Sequence, residues 1–135
     1  MRPEPEQPIA YIAGALNGMA IDYIHNMHRM IIWAEKIRKL GYAVFVPGID
    51  LLQGLVMGDW EYADFFQNSQ PFLQISHIVF VVPGWEKSKG TARELVTAKE
   101  YGVPIYYEQE GYEQLIQLEK DKLYQKLEGL KDEEH

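Results

Sequence analysis

The chain has 135 residues, 47% apolar and 24% charged, which gives room for one domain with its own core and argues against global disorder. Thirteen Lys/Arg against twenty Asp/Glu leave a formal charge of −7. That balance argues against tracking a nucleic-acid polymer, which needs a basic face, but not against a small anion held locally by backbone N–H groups. With no cysteine, disulfides, thiolate metal sites and a cysteine nucleophile are excluded.

Residues 1–8, with Pro3, Pro5 and Pro8, read as a flexible polar leader rather than a signal peptide. No apolar run approaches the roughly 18 residues of a membrane span, so the expected compartment is the cytoplasm. Ile9 to Ala13 is a short apolar run stopped by Gly14, the mark of a buried strand. From Met19 to Leu40, apolar residues recur at Tyr23, Met27, Met30, Ala34 and Ile37, an amphipathic helix with Gly41 just past its end. Tyr42 to Val46 is a second strand, closed by Pro47-Gly48. Residues 49–59 carry Gly54 and Gly58 among apolar side chains and read as a loop.

Trp60 to Ile75 reads as a helix that Pro71 either kinks or restarts. His77 to Val82 is the clearest buried strand, followed by a helix from Gly90 to Tyr101 and a strand from Val103 to Tyr107. A charged helix over about 113–130 ends the chain. It carries much of the acid, since residues 108–135 hold nine Asp/Glu against four Lys. Its apolar side, with Tyr112, Ile116, Leu123, Leu127 and Leu130, is expected to pack on the domain or on a second subunit. Strands alternating with helices predict one α/β domain over 9–135. The expected architecture is a three-layer flavodoxin-like or Rossmann-like fold, with four or five parallel strands and helices on both faces. Such sheets bind ligands beyond the carboxyl ends of their strands, so the loops after Ala13, Val46 and Val82 are the places to look.

The loop Gly14-Ala15-Leu16-Asn17-Gly18 joins the first strand to the first helix. It lacks the dinucleotide and Walker spacings and reads either as a close backbone approach to a ligand or as a tight turn. The loop Pro83-Gly84-Trp85-Glu86-Lys87-Ser88-Lys89-Gly90-Thr91-Ala92-Arg93-Glu94 is richer. Ser88, Gly90 and Thr91 can present a hydroxyl and N–H groups to an anion, Trp85 a flat face to a base or sugar, and Glu94 a nucleophilic or basic carboxylate. The same residues also read as a Ser/Thr helix cap followed by a solvated glutamate. Asp22, His25 and His28 share one helix face but drift around it; surface residues are the expectation, and no metal or cofactor is expected. His77 reads as a satisfied core or loop histidine, and Met19, Met27 and Met30 as core.

Tyr11-Ile12-Ala13-Gly14, the Pro83–Glu94 run, and Ala98 through Gly102-Val103-Pro104 resemble the nucleoside 2-deoxyribosyltransferase superfamily. The likeness is to its small branch with a Pro-Gly-Trp-Glu-x-Ser-x-Gly loop, and also to the 2′-deoxynucleoside 5′-phosphate N-hydrolases. It covers residues 9 to about 107. It implies N-glycosidic hydrolysis or deoxyribosyl transfer on a nucleoside or its 5′-monophosphate. In that reading Glu94 is the nucleophile, Tyr11 orients it, Ser88 holds the phosphate, and Gly14 to Gly18 close the other side. It also implies a homo-oligomer. A second acid must protonate the departing base. Members of the superfamily also carry an Asp-x-x-x-Leu-x-x-x-Asp pattern, whose first aspartate contacts the sugar or base and helps catalysis; its two positions here hold Ser69 and His77. Candidate replacements are Asp64, Asp59 and Glu86. The competing expectation is a nucleotide-binding or assembly module that keeps the pocket without turnover.

Overall fold

The computed structural model describes residues 2–16 and 20–133. The elements are β1 (Ile9–Ala13), α1 (Ala20–Arg38), β2 (Ala43–Phe45), α2 (Gly48–Met57), α3 (Tyr62–Gln74), β3 (Ile78–Val81), α4 (Lys89–Glu100), β4 (Ile105–Tyr107) and α5 (Glu108–Glu133). Four strands pair in the order β2-β1-β3-β4, all parallel. This is a flavodoxin-like arrangement, in which the chain turns back across β1 on its way from β2 to β3.

The side-chain alternation of a strand divides the core in two. Ala10 and Ile12 of β1 face one way, with Phe80 of β3, toward Met30 and Ile37 of α1 and Leu115 of α5. Tyr11 and Ala13 face the other way, with Val79 and Val81, toward Leu73 of α3 and Leu95 and Ala98 of α4. Both faces of β1 and β3 are therefore buried, which is why those strands are continuously apolar. The start of β1 is pinned to β3 by His77, whose Nδ1 accepts from the Ile9 N–H at 2.9 Å. Residues 2–8 form no helix or strand, although the Pro8 carbonyl accepts from the Ala43 N–H at 2.8 Å.

Several boundaries differ from the sequence expectation. The segment read as a loop over 49–59 is the helix α2. Gly58, at φ +81°, caps its C-terminus in the left-handed conformation. Gly54 lies inside the helix where α3 approaches closely: a Cβ there would meet the Phe65 ring at 2.3 Å. These glycines serve a cap and a packing contact, not a loop. Pro71 neither restarts nor ends its helix, because α3 runs through it to Gln74. The last helix begins at Glu108 rather than 113, directly from β4. Its first turns pack on the sheet through Leu115 and Tyr112, Ile116 is half-buried, and Leu123, Leu127 and Leu130 are exposed.

Candidate functional site

The switch in strand order lies between β1 and β3, and the loops leaving these strands diverge there. A cavity of about 270 Å³ opens at this place, close to the lower end of the range of about 300–1,000 Å³ typical of small-molecule sites. Its floor and walls come from four elements. β1 and its loop give Tyr11, Gly14 and Leu16; the turn into α2 gives Pro47 and Asp50. α3 gives Tyr62, Phe65, Phe66 and Ser69, and the start of α4 gives Ser88, Gly90, Thr91 and Glu94.

Ser88 is the N-cap of α4. Its Oγ accepts from the Thr91 N–H at 3.1 Å and from the Thr91 hydroxyl at 3.0 Å. Both contacts use Ser88 as acceptor, so its own proton remains to donate. The cap fixes the first turn of α4, and one turn later the same helix delivers Glu94 to the cavity. Gly14 is a close-approach residue: an added Cβ would meet Met30 Cε at 3.0 Å and Val82 Cβ at 3.3 Å. Gly90 has more room, its nearest neighbour being the Tyr62 hydroxyl at 3.6 Å.

Glu94 is only partly accessible, through the cavity mouth, and protein encloses its carboxyl. Burial pushes its pKa up to about 7, against the charge-favouring approach of the Tyr11 phenol and with a further rise from the Asp50 charge. Tyr11 is fully buried. Its hydroxyl lies beside the Glu94 carboxyl and the Ser69 hydroxyl but meets neither in hydrogen-bond geometry, so it is a buried polar group without a partner. Desolvation first, and the nearby Glu94 second, raise the phenol well above its ordinary pKa. Asp50 is 8% exposed, and its Oδ2 is buried with no partner. Burial raises its pKa, opposed by the Asn68 amide. Among the described residues that line the cavity there is no Lys, Arg or His.

The sequence candidates divide. Tyr11, Gly14, Ser69, Ser88, Gly90, Thr91 and Glu94 come together at the cavity. Asn17 and Gly18 lie outside the described residues, as does Met19. Asp64 is not at the cavity: it is the third residue of α3 and accepts from the Glu61 N–H at 2.7 Å as half of a capping box. With Asp59 it edges a separate shallow groove. Trp85 is absent from the cavity lining and packs against the α3–α4 side of the core, its ring 5.6 Å from that of Tyr107. Glu86 is exposed. Ser69 gives its hydroxyl to the Phe66 carbonyl at 3.3 Å. The sequence reading named the loop after Val46 as a place to look but singled out no residue in it. Asp50 and the aromatic wall of Tyr62, Phe65 and Phe66 were missed.

The all-parallel sheet, with a cavity and a carboxyl–phenol pair at its switch point, defines a flavodoxin-like α/β domain. Within it, residues 8–107 match the family described as "Domain of unknown function (DUF4406)", and the chain belongs to that family. The match spans all four strands and the whole cavity lining. No curated protein matches the chain.

Proposed function

We propose that the protein cleaves the N-glycosidic bond of a nucleoside or nucleoside 5′-monophosphate, passing the sugar to water or to a second base. One juxtaposition carries the reading: the Glu94 carboxyl and the unpartnered Tyr11 phenol at a single cavity on the carboxyl rim of the sheet. Breaking this bond builds positive charge at the anomeric carbon, and a carboxylate beside it captures or stabilises that centre. The phenol beside Glu94 favours its charged and attacking form. The apolar and aromatic walls suit a planar base, and the N-terminus of α4 with the Ser88 hydroxyl suits a phosphate. No helix is long and apolar enough to cross a membrane among the described residues, and we place the activity in the cytoplasm, in a homo-oligomer.

The test is release of free base from 2′-deoxynucleosides and their 5′-monophosphates, wild type against Glu94→Ala. Wild-type release that falls by about 10²-fold or more in the variant supports the reading; equal release by both overturns it. A second reading has its own observation, the serine at position 69 where the resembled families keep an aspartate. There the protein binds nucleotides without turning them over. Calorimetric binding and a raised melting temperature, with no base released, would favour it over the first.

A further inference from the structure

We propose that Asp50 is the proton donor to the departing base. The inference rests on the glycosidic reading above and assigns its missing acid. The cavity needs such a group, because a neutral base is a poor leaving group unless a proton reaches its nitrogen as the bond breaks. Ser69 cannot supply it, since its hydroxyl is weakly acidic and directed to the Phe66 carbonyl. Leu16, Pro47, Phe65 and Phe66 carry no acid, and the described lining has no cationic side chain. Asp64 is held in the capping box outside. Asp50 alone among these groups is a carboxyl that is inside, buried and incompletely satisfied: its Oδ2 has no partner. A buried carboxyl oxygen without a partner is costly in a finished core and is expected where a ligand will complete it.

Two carboxyls in an enclosed site without a cation resist a second negative charge, so the pair retains one proton toward neutrality. The titratable groups around Asp50 are Glu94 of α4, Tyr11 of β1 and Tyr62 of α3, with Asn68 its neutral amide neighbour. Arg93 of α4 is turned away, stacked on the Phe66 ring at 4.1 Å. As the anomeric carbon becomes positive beside Glu94, charge on that carboxyl is favoured and the proton of the pair settles on Asp50. A Glu94 oxygen then bonds to the anomeric carbon while the carbon–nitrogen bond breaks. The electron pair goes to the base nitrogen, which takes the Asp50 proton. Asp50, now a carboxylate, accepts a proton from the water that attacks the anomeric carbon and breaks the Glu94 ester. That leaves Asp50 protonated and Glu94 charged, as they stood just before the carbon–nitrogen bond broke.

The decisive experiment compares Asp50→Asn with wild type on two substrates. One is 2′-deoxyguanosine 5′-monophosphate; the other is its 7-methyl form, whose base leaves neutral without being protonated. The expected result is a loss of about 10²–10⁴-fold on the first, the usual worth of a general acid, and a change within about threefold on the second. Equal losses on both substrates, or no loss on either, overturn the assignment while leaving the glycosidic reading intact. Wild-type protein inert toward both substrates removes that reading and this inference with it. Should Asp50→Asn fold poorly, Asp50→Ala with added formate serves instead. Recovery of cleavage of the unmethylated substrate alone supports the role, and formate without effect in folded protein overturns it.

Discussion

At the scale of single residues, the cavity keeps Glu94 where its charge is costly. A glutamate in the unfolded chain releases its proton near 4.5, whereas burial pushes Glu94 up to about 7. Between these values the folded protein holds a proton that the unfolded chain has lost, so this group's contribution to stability falls as pH rises from 4.5 to 7 and is level above. The displacement from 4.5 to about 7 sets an upper bound of roughly 3–4 kcal/mol on that loss. Glu94→Gln removes the ionisation, and its stability relative to wild type should improve by up to that amount between pH 4.5 and pH 8 in urea unfolding. A difference that does not change with pH would mean that water reaches the carboxylate freely. Tyr11 was named through the family resemblance, and Glu94 was legible in the sequence because a buried strand, its loop and the helix start that follows fix its place at the carboxyl rim of the sheet. Asp50 was not, because no spacing links it to position 94: the two meet only through the fold. Asp64 misled for a related reason, since a carboxylate three residues past a helix start has the same sequence mark whether it caps the helix or serves a ligand.

At the scale of elements, the periodic helices α1 and α4 and the continuous strands were readable, because an apolar stripe or run is a direct record of a buried face. The helix α2 was not. Its residues are almost all apolar, with only Asp50 and Gln53 to mark a polar side, and the two glycines that signal a loop have other work. Inside helices a glycine can mark either a contact or nothing, and only the neighbours distinguish the cases. Gly54 faces the Phe65 ring at a distance no Cβ can keep, whereas Gly129 in the exposed part of α5 has nothing within 4 Å. The same substitution should therefore have opposite signs. Gly129→Ala gains helix propensity and should stabilise by up to about 1 kcal/mol. Gly54→Ala forces α2 from α3, and overpacking of this kind costs roughly 1–3 kcal/mol. Because Phe65 is a cavity wall, Gly54→Ala should also weaken nucleotide binding, which Gly129→Ala should leave unchanged. Denaturation midpoints and calorimetric titration of both variants check the pair; a Gly54→Ala variant as stable as wild type would show that the Phe65 ring swings aside.

At the scale of the whole molecule, strand–helix alternation was enough to predict parallel strands in three layers, but not which strands adjoin. The order β2-β1-β3-β4, and with it the location of the switch point, follows from burial on both faces of β1 and β3, which the sequence gives only as two apolar runs among four. The surface carries a further consequence. Ile21, Ile24, Ile31 and Ile32 of α1 are about half exposed or more, and so are Leu52, Leu55, Val56 and Met57 of α2, Val56 at 75%. The α1 isoleucines lie three, seven and one residues apart, which at 3.6 residues per turn puts them on one side of the helix, opposite Met30, Ala34 and Ile37, which reach the core. Scattered apolar side chains are ordinary on a monomer, but a second apolar stripe on a helix already packed through its first marks an association surface. We expect the protein to self-associate through α1. Light scattering coupled to size exclusion should give at least twice the 15.7 kDa of one chain at micromolar concentration. Ile24→Lys with Ile31→Lys should reduce the assembly to single chains without lowering the melting temperature of the isolated fold, because neither side chain touches its core. A wild-type mass of one chain would remove the expectation, and an assembly that survives the double substitution would move the contact from α1 to another exposed face.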